Sequence, residues 1–497
     1  MTFRLERPAG DVTHPEPTAA PPAFAAIPQQ RHAGDAPVSP AVLWTPPRQW
    51  SPVAAPPFLP PQPRRSFLWP VLTALLVISM LLALAGASAA TIALRGDRVP
   101  ASTAWIDMTA RSSALDALLD RRAKAVLAGD AGAFLADLDS ADAGFVKRER
   151  QLFANLAKVP FSSLSFQLQP PRPDLQHFLP STLRDTYHEA VQVAAVDVIY
   201  KIKGVDSVPV ATPWLPIVAY TGSRWEIVGE ATGKDLPYGA NGQAWDDAGP
   251  IIVQTSPRVV AVLSADDAER GPYLLQYAEK ALDRLAQTRS GGWDGKVFLT
   301  AVQDQRIFDT YFAGSPERIA QVAAIAVPYY DKVPDWNPTA SYAATRIVFN
   351  PRELSAQPDV LAHDLTHEFT HAAMGPVTSG STPRWLVEGF AEYSAYNGTK
   401  VDPAWVNKAL GDLSLSDGLP TDAEFYQEPR NYVAAWLACR MIAEKYGQPA
   451  LIALYEAFQK SPDVDAAVRA TLGTDRATLE SQWRDYVAAA RGQVPKD

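Results

Sequence analysis

Residues 358–376 read P-D-V-L-A-H-D-L-T-H-E-F-T-H-A-A-M-G-P, and this stretch decides what kind of chain this is. Pro358 suits the first turn of a helix and Gly375 with Pro376 supplies the stop, so a helix is expected between them. Three of the seven histidines, His363, His367 and His371, fall inside it. The H-E-F-T-H core spaces His367 and His371 by four residues, close to one helical turn. Both imidazoles therefore leave one face and can grip a single tetrahedral metal ion. Glu368 points about a quarter-turn away, where its carboxylate reaches a water at the metal without occupying the metal, as a general base must. The plainer reading is a pair of satisfied polar side chains on a helix surface.

The next element strengthens the metal reading. Thr382 can cap and Pro383 can start a helix running to about Tyr396 and closed by Asn397 and Gly398. It carries W-L-V-E-G-F-A-E-Y, residues 385–393. Only the eight residues Gly375 to Thr382 separate the two helices, so a hairpin would present Glu388 to His367 and His371 and complete a His2Glu set. Glu392, one turn further, shares that face. It is expected either to accept the free ring N–H of a ligating histidine, fixing its tautomer, or to be an ordinary solvated carboxylate. A shifted register, H-D-L-T-H with His363 and His367 as ligands, ranks lower: Asp364 is a methylene shorter than Glu, and the spacing to Glu388 grows by a turn.

With HEFTH and WLVEGFAEY together, the chain resembles the gluzincin metallopeptidases, and more specifically the membrane-anchored bacterial peptidases of that clan, in which a strand such as RIVFNP precedes the metal helix. The likeness covers about residues 250–490, including LGTDRATLESQWRDYV. It implies one zinc ion (Zn2+) held by His367, His371 and Glu388, with Glu368 as catalytic base. In the aminopeptidase branch a tyrosine stabilises the oxyanion, and Tyr432, in YQEPRNY before a helix from Asn431 to Tyr446, is the position carried over. Tyr426 competes for that role, and a buried aromatic anchoring the helix is the plainer account of Tyr432. There is no G-x-M-E-N segment to hold a substrate amino terminus, so endopeptidase action is expected. Trp436, Leu437 and Met441 read as core, and Cys439 as a small buried hydrophobe.

Outward from the motifs, the 497-residue chain has 47% hydrophobic and 20% charged residues, which excludes a wholly disordered or fibrous protein. A net charge of −9 offers no basic field for nucleic acid, and a single cysteine permits no internal disulfide. Sixteen of the 44 prolines lie before residue 64, and residues 1–66 read as a disordered tail, solvated or docking a cytoplasmic partner through polyproline II. Residues 67–94 carry no charge over 28 positions, enough to span a ~30 Å hydrocarbon core, and read as an uncleaved membrane anchor. Arg64 and Arg65 beside the span favour a cytoplasmic N-terminus, with the catalytic domain outside.

Residues 100–230 read as an α+β domain. A helix over 112–128 carries Leu115, Leu118, Leu119, Val126 and Leu127 on one stripe, and strands follow in LSFQLQ, AVQVAAVDVIYKIK, PWLPIVAY and RWEIVGE. This pattern resembles the cone-shaped nuclear-transport-factor-like fold; His177 and His188 are isolated within it. Residues 231–250 read as a linker. Residues 251–490 form the metallopeptidase domain, a small sheet (RVVAVL, KVFLTAV, RIVFN) followed by a mostly helical half. An extended peptide substrate is expected to add to an edge strand containing Ile347 to Phe349. The whole is thus an α+β membrane-anchored zinc metallopeptidase acting on peptides or proteins. The alternative is an envelope ligand-binding or scaffold protein whose metal site is structural, closed by a fourth ligand such as His363.

Overall fold

The computed structural model describes residues 101–492 apart from 140, 222–223, 234–235, 238, 290, 312–321 and 417. The proline-rich tail and the apolar run at 67–94 lie outside the described residues. Among the described residues no helix is long and apolar enough to cross a membrane. The chain divides into two compact units, one comprising the described residues up to Lys201 with Ala211–Ala240, the other Ile202–Val210 with Asn241 onward.

The first unit starts with three helices, α1 (Ala101–Ala128), α2 (Ala131–Leu135) and α3 (Ala143–Leu156). Asp130 and Asp142 cap α2 and α3, their carboxylates accepting backbone N–H groups that no helical carbonyl can reach. On α1, Leu115, Leu118, Leu119 and Val126 are buried as the stripe requires, but Leu127 is 51% exposed. At about 100° per residue, Leu127 lies some 120° round the helix from Leu115, outside the stripe that Val126 continues. After α1–α3 come β1 (Phe161–Leu168), the short α4 (Ser181–Tyr187), β2 (Val191–Val193), β3 (Val196–Ile202), β4 (Val210–Trp214), β5 (Pro216–Tyr220) and β6 (Trp225–Glu230). β5 and β6 pair antiparallel, as the hairpin reading expects, and β2 joins the other side of β5.

The second unit opens with a sheet of β7 (Ile251–Thr255), β8 (Val259–Ser264), β9 (Val297–Ala301), β10 (Ala324–Tyr330) and β11 (Tyr342–Phe349). Helix α5 (Gly271–Leu285) crosses between the parallel neighbours β8 and β9, and the short α6 (Gln305–Thr310) follows β9. In space the order is β10-β11-β9-β8-β7. This places β11 inside the sheet, antiparallel to β10 on one side and parallel to β9 on the other. The expectation of an edge strand at Ile347–Phe349 is therefore overturned: Ile347 and Val348 have strand partners on both sides, and no peptide can add along them. Residues 241–250, read from sequence as connecting chain, pack within this unit. Gln243 and Trp245 are buried, and Gln243 joins Tyr311 and Tyr329 in a closed hydrogen-bonded set.

Beyond β11 the chain is helical: α7 (Pro358–Met374), α8 (Arg384–Ala395), α9 (Pro403–Leu410), α10 (Arg430–Tyr446), α11 (Gln448–Ala457), α12 (Val464–Leu472) and α13 (Arg476–Ala490). Two apolar cores result. One joins the sheet to α5 and to Leu361, Leu365, Phe369, Ala372 and Ala373 of α7. The other fills the helical half around Trp405, Trp436 and Trp483, and includes Cys439. At ~1.5–3 kcal/mol for each large apolar side chain removed from water, Leu361, Leu365 and Phe369 alone clamp α7 firmly on the sheet.

Candidate metal centre

That clamp determines where the histidines point. Leu361, Leu365 and Phe369 form one i, i+4, i+8 row on α7, and His363, His367 and His371 form a second row displaced by two positions. Two positions turn a helix by about 200°, so packing the apolar row on the sheet turns the histidine row away from it, toward α8. Pro358 occupies the first turn of α7 as expected. The buried hydroxyls of Thr366 and Thr370 are satisfied by the carbonyls four residues back, at 2.6 and 2.7 Å, so the helix carries two polar residues inside without stranding a donor.

Helix α8 begins at Arg384, one residue later than expected. Thr382 does not cap it: the Thr382 hydroxyl instead accepts from the Ser379 N–H at 3.1 Å, within the loop. The loop still returns α8 alongside α7, and Glu388 meets the two histidines. Its Oε2 lies 3.2 Å from Nε2 of His367 and 3.5 Å from Nε2 of His371, and the two ring nitrogens are 3.1 Å apart. All three residues are buried. Among the described residues, this is the group of His, Cys, Asp and Glu side chains that converges tightly enough to hold a metal ion.

The fit to a metal can be tested on these separations. Four ligands about 2.05 Å from zinc stand about 3.3 Å from one another along the tetrahedron edges. The observed 3.1, 3.2 and 3.5 Å bracket that edge. The donor chemistry agrees, because two imidazole nitrogens facing each other cannot both accept, and a proton or a cation must lie between them. Burial alone would depress the His367 imidazole, but its contacts with the Glu388 and Glu392 carboxylates outweigh this and hold it up to about 9. Burial lowers His371 and so favours its neutral imidazole.

Around this set stand the other residues singled out by sequence. Glu392 is buried, and its Oε1 lies 3.0 Å from Nδ1 of His367, though not in line for a hydrogen bond. It is thus no solvated carboxylate. Burial would raise its carboxyl, yet His363 and His367 hold it down to about 2. His363 does not join the cluster: its Nε2 bonds Glu392 Oε2 at 3.0 Å and its Nδ1 lies 3.0 Å from Asp364 Oδ1. The shifted register is not the one the fold assembles. Glu368 is fully buried and near enough to Tyr432 to act on its hydroxyl electrostatically. Tyr432, fully buried at the start of α10, holds its ring 6.3 Å from that of His367 and edge-on to Phe425. Burial pushes its hydroxyl well above the ordinary value, and Glu388 and Tyr426 add to the effect.

Two relationships were not legible beforehand. Tyr426, considered only as a rival to Tyr432, donates to Glu388 Oε1 at 2.7 Å, and Arg384 in turn bonds the Tyr426 hydroxyl at 3.3 Å. Nothing in the spacing of Arg384, Glu388 and Tyr426 announces this, because the three meet through the loop before α10. The partnership of His363 with Glu392 had a signal: His363 lies one turn before His367, as Glu392 lies one turn after Glu388.

A family model described as the Peptidase MA superfamily matches residues 299–489. A search of curated proteins finds no match. Among solved structures, the chain is similar to the M1 zinc metallopeptidase from Deinococcus radiodurans, at 14% identity over 60% of each chain with a TM-score of 0.30. A second structure, a two-domain M1 zinc metallopeptidase variant bound to L-arginine, aligns at 12% identity over 67% of this chain and 94% of that one, also with a TM-score of 0.30. The chain spans about 60% of the length of the first of these. The family match supports a peptidase, and its range contains every residue of the His2Glu set.

Proposed function

We propose that this chain is a zinc-dependent metallopeptidase of the gluzincin type, cutting within peptide chains, anchored by residues 67–94 with its catalytic domain outside the cytoplasm. The observation that carries the reading is the convergence of His367, His371 and Glu388 at tetrahedral edge distances, with Glu368 one residue from a ligand. In this reading those three residues hold the ion. When bound, zinc supplies a Lewis acid for the scissile carbonyl and lowers the pKa of the attacking water to about 7.

The remaining work falls to the chain's own side chains. The Glu368 carboxylate takes a proton from the attacking water as its oxygen bonds to the carbonyl carbon. It then delivers that proton to the leaving nitrogen as the C–N bond breaks, leaving a carboxylic acid and an amine, between which the second proton of the water then passes to give carboxylate and ammonium. General acid–base action of this kind contributes about 10²- to 10⁴-fold. The Tyr432 hydroxyl, kept protonated by burial, donates to the oxyanion. Tyr426 holds the outer oxygen of Glu388, and Glu392 orients His367.

The alternative, a binding or scaffold protein with a structural metal site, needs a fourth protein ligand. His363, one residue that could close such a shell, has both ring nitrogens facing carboxylates instead. Incubating the purified full chain in detergent with a mixed peptide library, with and without a chelator, tests the proposal. Cleavage at internal bonds that chelation abolishes and zinc restores is the expected result; no cleavage by a protein that binds one zinc would favour the structural reading.

A further inference from the structure

We infer that His363 is a positioning residue for the metal centre: by fixing one oxygen of Glu392 it holds the other against Nδ1 of His367, so that Nε2 of that ring is presented to the cation. The inference rests on the zinc-peptidase reading above. It also gives a role to a buried group that the proposed reaction leaves unused.

The geometry is that of a shared carboxylate. Glu392 is 1% exposed, and its two oxygens divide between two histidines, Oε2 at 3.0 Å from Nε2 of His363 and Oε1 at 3.0 Å from Nδ1 of His367. The terminal torsion of a glutamate is broad and roughly two-fold, so a carboxylate held at one oxygen can still swing. The hydrogen bond from His363 to Oε2, with the 3.0 Å approach of Oε1 to His367 Nδ1, limits that swing. His363 is itself fixed on two further sides, by Asp364 Oδ1 at 3.0 Å and by the Tyr396 ring, whose centroid lies 4.6 Å from its own. His363 and His367 stand one turn apart on α7, and Glu392 reaches them from α8, so the chain Asp364–His363–Glu392–His367 ties the two helices together at the metal. Outer partners of metal-bound histidines commonly carry 10- to 100-fold of metal affinity. His363 acts one link further out, through Glu392.

The test measures zinc affinity of the full chain in detergent by competition with a chromophoric chelator, at one neutral pH, with thermal melts run alongside. His363→Ala should weaken zinc binding about tenfold. His363→Gln, whose side-chain amide still donates to Glu392, should recover most of that loss. Glu392→Gln should weaken binding at least as much as His363→Ala, and the double variant should bind like Glu392→Gln alone, because residues acting through one another do not add. Zinc binding by His363→Ala equal to that of the unaltered chain would overturn the inference, as would losses that multiply in full in the double variant. An unaltered chain that binds no zinc would instead overturn the metal reading itself, an outcome distinct from either. A purely scaffolding His363 would lower the melting temperature of both His363 variants and leave the zinc dissociation constant of the folded protein unmoved.

Discussion

The hydroxyl of Tyr426 donates a 2.7 Å hydrogen bond to Oε1 of Glu388, while Oε2 of the same carboxylate faces both histidines. One oxygen is engaged by a buried phenol, so in the proposed zinc site Glu388 would bind through the other. The two tyrosines near the centre thereby differ: Tyr426 bonds Glu388, whereas Tyr432 is the oxyanion donor of the proposed reaction.

They should separate in kinetics as well. Tyr426→Phe strips Glu388 of a buried donor, and we expect zinc to bind about tenfold more weakly, with kcat recovering at saturating zinc. Tyr432→Phe should leave zinc affinity unchanged and lower kcat by about 10²-fold or more, the cost of losing an oxyanion donor. Zinc titrations of activity on both variants distinguish the two; a kcat loss confined to Tyr426→Phe would exchange the assignments.

Glu368→Gln keeps the size and hydrogen-bonding reach of the side chain but removes its basicity. The variant should hold one zinc by metal analysis and lose about 10²- to 10⁴-fold in kcat. His371→Ala should lose both metal and activity. Retained zinc in His371→Ala would contradict the ligand set.

The glycine of W-L-V-E-G-F-A-E-Y has a packing reason. A Cβ at Gly389 would stand 2.6 Å from the carbonyl oxygen of Ala435 and 2.9 Å from the Cys439 sulfur, because α8 and α10 approach there backbone to backbone. Gly389→Ala should therefore destabilise by about 1–3 kcal/mol, the usual cost of overpacking, and lower the melting temperature by several degrees. An unshifted melt would mean that the helices can part without cost.

Arg346 on β11 meets Asp206 in a two-pronged ion pair at 2.6 and 2.7 Å, with both side chains almost wholly buried. Asp206→Asn removes the carboxylate charge that the buried guanidinium faces, and breaking a buried pair on one side costs about 3–5 kcal/mol. Denaturant unfolding should show that loss. Replacing both partners by apolar residues should cost less than the single change, since it strands no charge.

The extent of what was legible beforehand follows from the range of the interactions involved. His367 and His371 share a face because four residues make one turn, and Pro358 and Gly375 bound that helix through local backbone chemistry. The buried core residues Trp436, Leu437, Met441 and Cys439 likewise followed from the apolar pattern of α10. Leu127 failed by a single residue of periodicity at a helix end, where 100° separates a buried position from an exposed one. The interior place of β11 depended on which strands flank it, and strand order is set by crossover connections and not by the composition of the strand.

By itself, then, the amino-acid sequence determined the two helices that carry the motifs, which face of α7 carries the histidines, and that a His2Glu set was within reach of one short loop. The tertiary structure alone decided that Tyr426 engages Glu388, that His363 bonds Glu392 and lies outside the cluster, and that β11 is flanked on both sides at Arg346–Val348. The first group rests on contacts within a turn or two of helix, where the backbone repeat fixes direction. The second rests on side chains brought together from separate elements, and their meeting depends on how those elements pack, which no local spacing encodes.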